Sequence, residues 1–193
     1  MHEQPLFSEE EGFIDGASKD SQNITGEWHP LQQLIDGVEV REVKNVIRKN
    51  GGVLTEIFRG DWQLDDGVVD QIFQNILDTR GISGWHVHQK TTDRIFVNWG
   101  SIKIVLYDAR SRSPTLGTIN EFCFGGSRPA LVVIPPGIWH AVQNLHHGPS
   151  ALLNIVDHAY QYDDPDHWRL PIDTDKIPYA FNLNGHAPVD SNA

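Results

Sequence analysis

Two histidine-containing segments constrain this chain more than any other feature of its sequence. The first reads Gly-Trp-His-Val-His over residues 84–88, and the second reads Pro-Pro-Gly-Ile-Trp-His over residues 135–140. Because alternate residues of a strand point to the same face, His86 and His88 are expected to project together. His140 follows a Pro-Gly turn and can reach the same place from another strand. The sequence therefore predicts a β-structure that brings three imidazoles together.

An acidic residue completes the predicted cluster. Asp93 follows the first segment after a short polar turn, at the expected start of the returning strand. Three imidazoles and one carboxylate inside a small barrel would form a site for a divalent transition metal, with Fe, Mn, Ni or Zn as candidates. The predicted ligands are His86, His88, Asp93 and His140. A plainer reading is open for each: a buried histidine is often a satisfied polar group, and Asp93 could pair with the adjacent Arg94.

The middle of the chain is a succession of short strand candidates separated by turn signals, among them Asn50-Gly51-Gly52. The candidates are residues 37–47, 53–59, 68–77, 85–88, 94–99, 101–108, 119–124, 130–134, 140–145 and 151–157. Strands this short and this regularly spaced favour a sandwich or barrel.

The chain divides into three predicted regions. Residues 1–30 are rich in Ser, Glu, Asp and Gly and are expected to form a flexible arm, residues 31–182 a single domain, and residues 183–193 a loose tail. A length of 193 residues suits one domain. Within the domain, residues 164–168 are predicted to open a short helical turn, with Pro165 early in it.

Charge and composition exclude several partners. A formal net charge of −11 argues against nucleic acid and anionic membranes. No apolar run approaches the roughly 20 residues of a membrane span, and the N-terminus lacks the regions of a signal peptide. The single cysteine, Cys123, has no partner within the chain for a disulfide. We therefore expect a soluble, cytoplasmic protein. The expected partner is a small molecule, and no organic cofactor is expected.

The two histidine segments resemble the paired motifs of the cupin superfamily, His-x-His-x4-Glu-x6-Gly and Pro-x-Gly-x2-His-x3-Asn. The motif residues here are His86, His88, Asp93, Gly100, Pro135, Gly137, His140 and Asn144. Asp93 stands for the usual glutamate and is one methylene shorter. The resemblance implies an all-β cupin double-stranded β-helix, a jelly-roll barrel, with an irregular N-terminal arm and C-terminal segment. It is expected to pair as a homodimer.

A closer resemblance runs over roughly residues 37–181. It is to the dTDP-4-dehydrorhamnose 3,5-epimerase family, cupins of deoxysugar-nucleotide biosynthesis. The segments that carry it are Gln74-Asn75, Gly84-Trp85-His86, residues 99–110, residues 133–140, Tyr160-x-Tyr162 and Ile177-Pro178-Tyr179. The resemblance implies an isomerase of carbohydrate biosynthesis whose substrate is a nucleotide-linked sugar.

That family's proton machinery carries over only in part. Its histidine base, which removes a proton next to a ketone, falls on His86. Its tyrosine acid falls on Asn154, which cannot serve as an acid of that kind, and its glutamine after the base becomes His88. An arginine that contacts phosphate becomes Ser83. The chain is expected to end before the region that supplies an aspartate to orient the base.

Further residues are candidates for the substrate site. Arg59, Arg80 and Arg110 could clamp a diphosphate, although exposed arginines are common. Tyr160 and Tyr162 are expected near the barrel mouth, where either could replace the missing acid. Asn154 is placed among the substrate-binding residues.

Three functional classes remain open from the sequence. The first is an enzyme on a nucleotide-linked 4-keto-deoxysugar, with His86 as base and altered catalytic residues. The second is a metal-dependent isomerase or dioxygenase. The third is a sugar-binding cupin without turnover. We rank the first highest because its resemblance spans most of the chain.

Overall fold

The computed structural model describes residues 16–27, 31–47 and 51–181. Backbone contacts separate two units, one of Met1–Gln32 with His186–Ala193 and one of Gln33–Gly185. In the first unit the amide of Leu31 donates to the carbonyl of Asn23 at 3.0 Å. Residues 1–15 of the predicted arm and the predicted tail, residues 183–193, lie outside the described residues. The architecture below is that of the second unit.

Strands dominate the described part of this unit. They are β1 (Glu39–Glu42), β2 (Asn45–Ile47), β3 (Val53–Thr55), β4 (Gln71–Leu77), β5 (Ile82–Val87), β6 (Asp93–Trp99), β7 (Ser101–Asp108), β8 (Ile119–Gly125), β9 (Ala130–Ile134), β10 (Ile138–Asn144), β11 (Ser150–Val156) and β12 (Trp168–Arg169). Within the described ranges, one 3₁₀ turn is present, over Gly60–Trp62. No helix among the described residues is long and apolar enough to cross a membrane.

Ten of these strands form two antiparallel five-stranded sheets. The first sheet has the order β1-β9-β6-β11-β4, and the second has the order β12-β5-β10-β7-β8. The remaining two strands, β2 and β3, pair as a small hairpin. Apart from β7 and β8, strand neighbours in the two large sheets are distant in sequence, as in a jelly roll. The predicted all-β cupin class is confirmed.

Apolar residues at alternating strand positions fill the space between the sheets. In β7, Ile102, Ile104 and Leu106 are fully buried, and in β8 Phe122 and Phe124 stack with ring centroids 5.8 Å apart. Burying each such side chain contributes about 1.5–3 kcal/mol. The opposite wall is supplied mainly by Ile95, Val97, Val132, Ile134 and Leu152.

Two motif glycines are required by close packing of strands. A Cβ on Gly84 would lie 2.3 Å from the Cβ of Ala141 in β10, and a Cβ on Gly100 would lie 2.1 Å from Oγ of Ser150. Gly100 also has φ of 75°, in the left-handed region. These glycines let the histidine-bearing strands β5 and β10 approach and let β6 turn into β7.

Residues 160–181, which we call the closing segment, fold back over the second sheet. Ile177 packs with Trp85, Val105 and Ala141 on the sheet's outer face. The predicted helical turn at residues 164–168 is wrong. The amide of His167 donates to the Pro165 carbonyl at 2.8 Å, and the chain then extends as β12. An edge of β5 was available for pairing, and this tertiary contact outweighed the local preference.

The predicted strand at residues 37–47 divides into β1 and β2. β1 pairs with β9, and the amide of Val43 still donates to the Pro129 carbonyl at 3.0 Å. The chain then leaves the sheet, and β2 pairs with β3 instead. The predicted hairpin across Gly51-Gly52 therefore joins strands outside the two large sheets.

Candidate active site

A cavity of about 820 Å³ opens between the sheets at the end that carries the histidine motifs. Cavities of this size hold small-molecule ligands in many proteins. Its walls come from β4, β5, β6, β10 and β11, and its rim comes from the closing segment. All four residues predicted as metal ligands line it.

Three of those four residues converge on one point. Nε2 of His88 lies 3.3 Å from Oδ2 of Asp93, and Nε2 of His140 lies 3.5 Å from the same oxygen. The three ligand atoms are within 4.8 Å of one another. The strands explain the convergence. His88 directly follows β5, β6 begins at Asp93, and β10 pairs with β5 so that His140 lies opposite His86.

We call His88, Asp93 and His140 the triad. Each of these side chains is also bound by another residue, on the side that faces away from the common point. Nδ1 of His140 lies 3.1 Å from the Ile138 carbonyl, and Nδ1 of His88 contacts the Asp166 carbonyl. A carbonyl only accepts, so each Nδ1 carries the hydrogen. In the neutral rings Nε2 then presents a lone pair. Three acceptor atoms therefore face one another, an arrangement that a cation or a shared proton would stabilise.

Asn154 holds the carboxylate of the triad. Its Nδ2 donates to Oδ1 of Asp93 at 2.6 Å, and its Oδ1 accepts from the Arg94 amide at 3.2 Å. Oδ2 of Asp93 is left for the histidines. Arg94 does not pair with Asp93; its guanidinium lies on the other face of β6 and binds Asp65 at 2.6 Å.

Burial sets the charge state of His140. Loss of hydration lowers its pKa, and the opposing attraction of the Asp93 carboxylate does not restore it. His140 therefore favours the neutral form that the lone-pair arrangement requires.

His86 is directed to a different partner. Nη1 of Arg169 donates to its Nε2 at 2.8 Å, across the β12–β5 pairing that sets Arg169 opposite His86. Burial, together with the neighbouring His140, His167 and Arg169, lowers the pKa of His86 to about 2. Since arginine remains protonated, Nε2 of His86 is the unprotonated acceptor. The predicted four-ligand set is thus a triad with a neighbouring, separately held imidazole.

The closing segment adds His167 to this cluster. Its ring centroid lies 4.6 Å from that of His86 and 5.0 Å from that of His88. Its buried Nε2 has no hydrogen-bond partner in the described part of the chain. Burial and the neighbouring positive groups lower its pKa to about 4.

Asp166 fastens the closing segment to the histidine motif. Its carboxylate accepts from the amides of Gln89, Lys90 and Thr91, at 2.8, 2.9 and 2.9 Å, and from the Thr91 hydroxyl. Burial alone would raise the pKa of Asp166, but these donors hold it at about 2. The same residue's carbonyl orients His88.

Sequence reasoning missed Asp166, His167 and Arg169. They occur as Asp-His-Trp-Arg over residues 166–169, in a stretch read as a helical turn. The available signal was the alternation of His167 and Arg169, which is typical of a strand with a polar face. The expected absence of the region that supplies an aspartate to orient the base stays a prediction; the residue that the structure places beside His86 is Arg169.

The predicted arginine clamp is not assembled. Arg59 pairs with Glu56 and Asp61, and Arg110 pairs with Asp108 at 2.9 Å. Arg80 lies at the turn after β4 with φ of 63°. None of the three lines the cavity, whereas Lys90 and Arg169 do.

The remaining predicted site residues are at the cavity. Ser83 and Asn154 line its wall. Tyr160 and Tyr162 stand at the rim with ring centroids 5.3 Å apart, 48% and 87% exposed. The predicted placement of the tyrosines at the mouth agrees with the structure.

This fold and cavity define a class, the cupin-type sugar epimerases and isomerases. The chain is 33% identical over 153 residues to a probable low-salt glycan biosynthesis epimerase of Haloferax volcanii, covering 79% of this chain and 97% of that protein. It is similar to the crystal structure of a dTDP sugar isomerase from Desulfovibrio desulfuricans G20, with a TM-score of 0.70, 25% identity, and 79% and 94% of the two chains covered.

A dTDP-4-dehydrorhamnose 3,5-epimerase from Bacillus anthracis shares the fold, with a TM-score of 0.66, 18% identity, and 77% of this chain and 87% of that chain covered. No family model matches the sequence. The chain belongs to the same family of sugar epimerases as the Haloferax volcanii protein, and it shares the fold of the dTDP-4-dehydrorhamnose 3,5-epimerases.

Proposed function

We propose that this protein isomerises a nucleotide-linked 4-keto-deoxysugar, with His86 removing the proton next to the ketone. The observation that carries the proposal is the unprotonated Nε2 of His86, which faces a cavity large enough for a sugar nucleotide. The family's enzymes support the substrate class, since one relative in structure is a dTDP sugar isomerase. The third class, a binding protein without turnover, has no specific observation in its favour.

Proton return is the step in which the site departs from the family. Asn154, at the position of the family's tyrosine, is bound to Asp93 and has no proton to give as an acid. Tyr160 and Tyr162 stand at the rim and are the proposed donors. With one altered partner, we expect epimerisation at one centre or keto-isomerisation, and weak or absent 3,5-epimerisation.

Deuterium exchange tests this function. The wild-type protein is incubated with dTDP-4-keto-6-deoxyglucose in deuterated water, and exchange at C3 and C5 is followed by NMR. We expect exchange at one carbon, lost in His86→Gln and retained in the control His147→Gln, at an exposed histidine outside the cavity lining. Exchange at both carbons would contradict the single-centre assignment, and no exchange would contradict the function.

A second candidate function, metal-dependent cupin chemistry, is favoured by the triad of facing acceptors. His88, Asp93 and His140 fit a divalent transition ion in donor type and in the backbone hydrogen bonds that fix both rings. A bound ion would polarise a carbonyl. Elemental analysis after purification without chelators tests it: stoichiometric Fe, Mn, Ni or Zn, lost in His88→Gln but kept in His86→Gln, would support it.

We also propose that the protein is a cytoplasmic homodimer. β4 is an edge strand of the first sheet, and its Ile72 and Ile76 are 59% and 63% exposed. Exposed apolar edges invite pairing. Free, exposed Cys123 is compatible with a reducing compartment. Light scattering should give twice the monomer mass for the wild type and the monomer mass for Ile76→Lys. Cell fractionation tests the location.

A further inference from the structure

The cavity contains one arginine whose charge no carboxylate neutralises. Elsewhere in the described chain, Arg59, Arg94, Arg110 and Arg128 each pair with an aspartate or glutamate. Arg169 has no such partner among the described residues, and its one hydrogen bond goes to the neutral His86 ring. Arg41, Arg80 and Arg112 also form no ion pair with a carboxylate of the described residues, but Arg169 is the arginine that lines the ligand cavity.

The position of Arg169 is fixed by backbone pairing. β12 pairs with β5 so that Arg169 lies opposite His86, and residues opposite one another in antiparallel strands project from the same face. The amide of Leu170 then donates to the Trp85 carbonyl at 3.1 Å, and Asp166 anchors the other side of the strand. The guanidinium is therefore placed beside the base by a strand that is paired through its backbone.

We propose that Arg169 is the electrophile of the reaction, donating to the ketone oxygen of the substrate and stabilising the enolate. This inference rests on the proposed function. The ketone oxygen is two bonds from the carbon that loses the proton, so a donor for it must lie next to the base. Nη1 of Arg169 is 2.8 Å from Nε2 of His86, and its remaining N–H groups have no partner in the described residues.

The step balances in atoms and charge. The C–H bond next to the ketone breaks, its electron pair forms the C=C bond of the enolate, and the carbonyl π pair moves to oxygen. The proton passes to Nε2 of His86, which Arg169 releases when its donor turns to the ketone. The enolate then lies between a guanidinium and an imidazolium, and its negative charge offsets their repulsion.

Substitutions separate this role from two simpler ones. Arg169→Lys keeps the charge, Arg169→Gln keeps an N–H donor for His86 without charge, and Arg169→Met keeps neither. If Arg169 only oriented His86, the Arg169→Gln variant would exchange at close to the wild-type rate. If it only anchored the diphosphate, the variants would bind dTDP weakly while saturated exchange stayed normal. Arg112→Gln, at an exposed arginine outside the cavity lining, is the matched control.

The experiment measures saturated deuterium exchange into dTDP-4-keto-6-deoxyglucose and dTDP affinity by calorimetry, with and without EDTA. We expect Arg169→Gln and Arg169→Met to lower the rate of saturated exchange by about 10²–10³-fold, and Arg169→Lys to retain a higher rate than Arg169→Gln. The affinity for dTDP should change by less than about 3-fold in each variant. Circular dichroism should match the wild type.

Exchange near the wild-type rate in Arg169→Gln would overturn the assignment while leaving the proposed function intact. The assignment would also be overturned if the variants lost dTDP binding but kept normal saturated exchange. It would be overturned as well if EDTA abolished exchange in the wild type, because the role would then belong to an ion at the triad. Absence of exchange in the wild type itself would overturn the proposed function and the assignment together.

Discussion

Asn154 occupies one oxygen of Asp93, at 2.6 Å, and leaves the other oxygen to face two histidines. Asn154, which the sequence resemblance predicts to stand at the position of the family's tyrosine acid, thus supports a carboxylate inside the barrel. The relationship is the basis of the first prediction.

Asn154→Ala should weaken binding of Zn²⁺ or Mn²⁺ to the triad by about 10–100-fold, because Asp93 loses the partner that orients it. Isothermal titration of the chelator-treated protein measures the change. Asn75→Ala, on β4 in the same cavity wall, is the control and should bind as the wild type does. Equal affinities in all three proteins would contradict the supporting role of Asn154.

Stability should fall as the pH drops below about 6.5. Burial lowers the folded pKa values of His86, His140 and His167, so the unfolded chain takes up protons first. The stabilisation is complete above the unfolded pKa of about 6.5 and decreases below it, by up to about 1.4 kcal/mol per pH unit for each histidine. Urea titrations between pH 8 and 4 test it. His140→Gln should make the free energy of unfolding less dependent on pH, whereas His158→Gln, at an exposed residue, should not.

Asp166→Ala should destabilise the closing segment by about 2 kcal/mol, because four donors lose a charged acceptor. Amide hydrogen exchange at residues 89–91 should accelerate, and exchange in β7 should not. In the wild type the folded pKa of about 2 lies below the unfolded value. The contribution is therefore present above about pH 4 and is lost as the pH falls towards 2. Unchanged amide exchange at residues 89–91 would contradict the role of Asp166 in holding the closing segment.

Gly84→Ala should be strongly destabilising, by more than about 3 kcal/mol, since its Cβ would lie 2.3 Å from that of Ala141. Thermal unfolding measures the effect. Gly126→Ala is a suitable comparison, because no atom lies within 4 Å of the added Cβ. A small effect at Gly84 would show that β5 and β10 can separate without cost.

Much of the site was predictable because it is local in sequence. His86 and His88 share a strand face by the two-residue period of β-structure, and the motif glycines reserve space between strands. The cupin class followed from the spacing of both motifs. The arginine clamp did not follow, although the ion pairs of Arg59 and Arg110 are formed with carboxylates two or three residues away in sequence. Which arginine lines the cavity depends on the tertiary structure, and it is Arg169.

The sequence by itself determined the all-β class, the histidine-bearing strands and the family, since strand periodicity and motif spacing are properties of neighbouring residues. Only the tertiary structure decided which atoms meet. Residues 166–169 lie far along the chain from His86, and they reach it because the edge of β5 offers unpaired backbone groups to β12. That pairing turns His86 from the triad towards Arg169 and fixes the ring of His88 against Asp166.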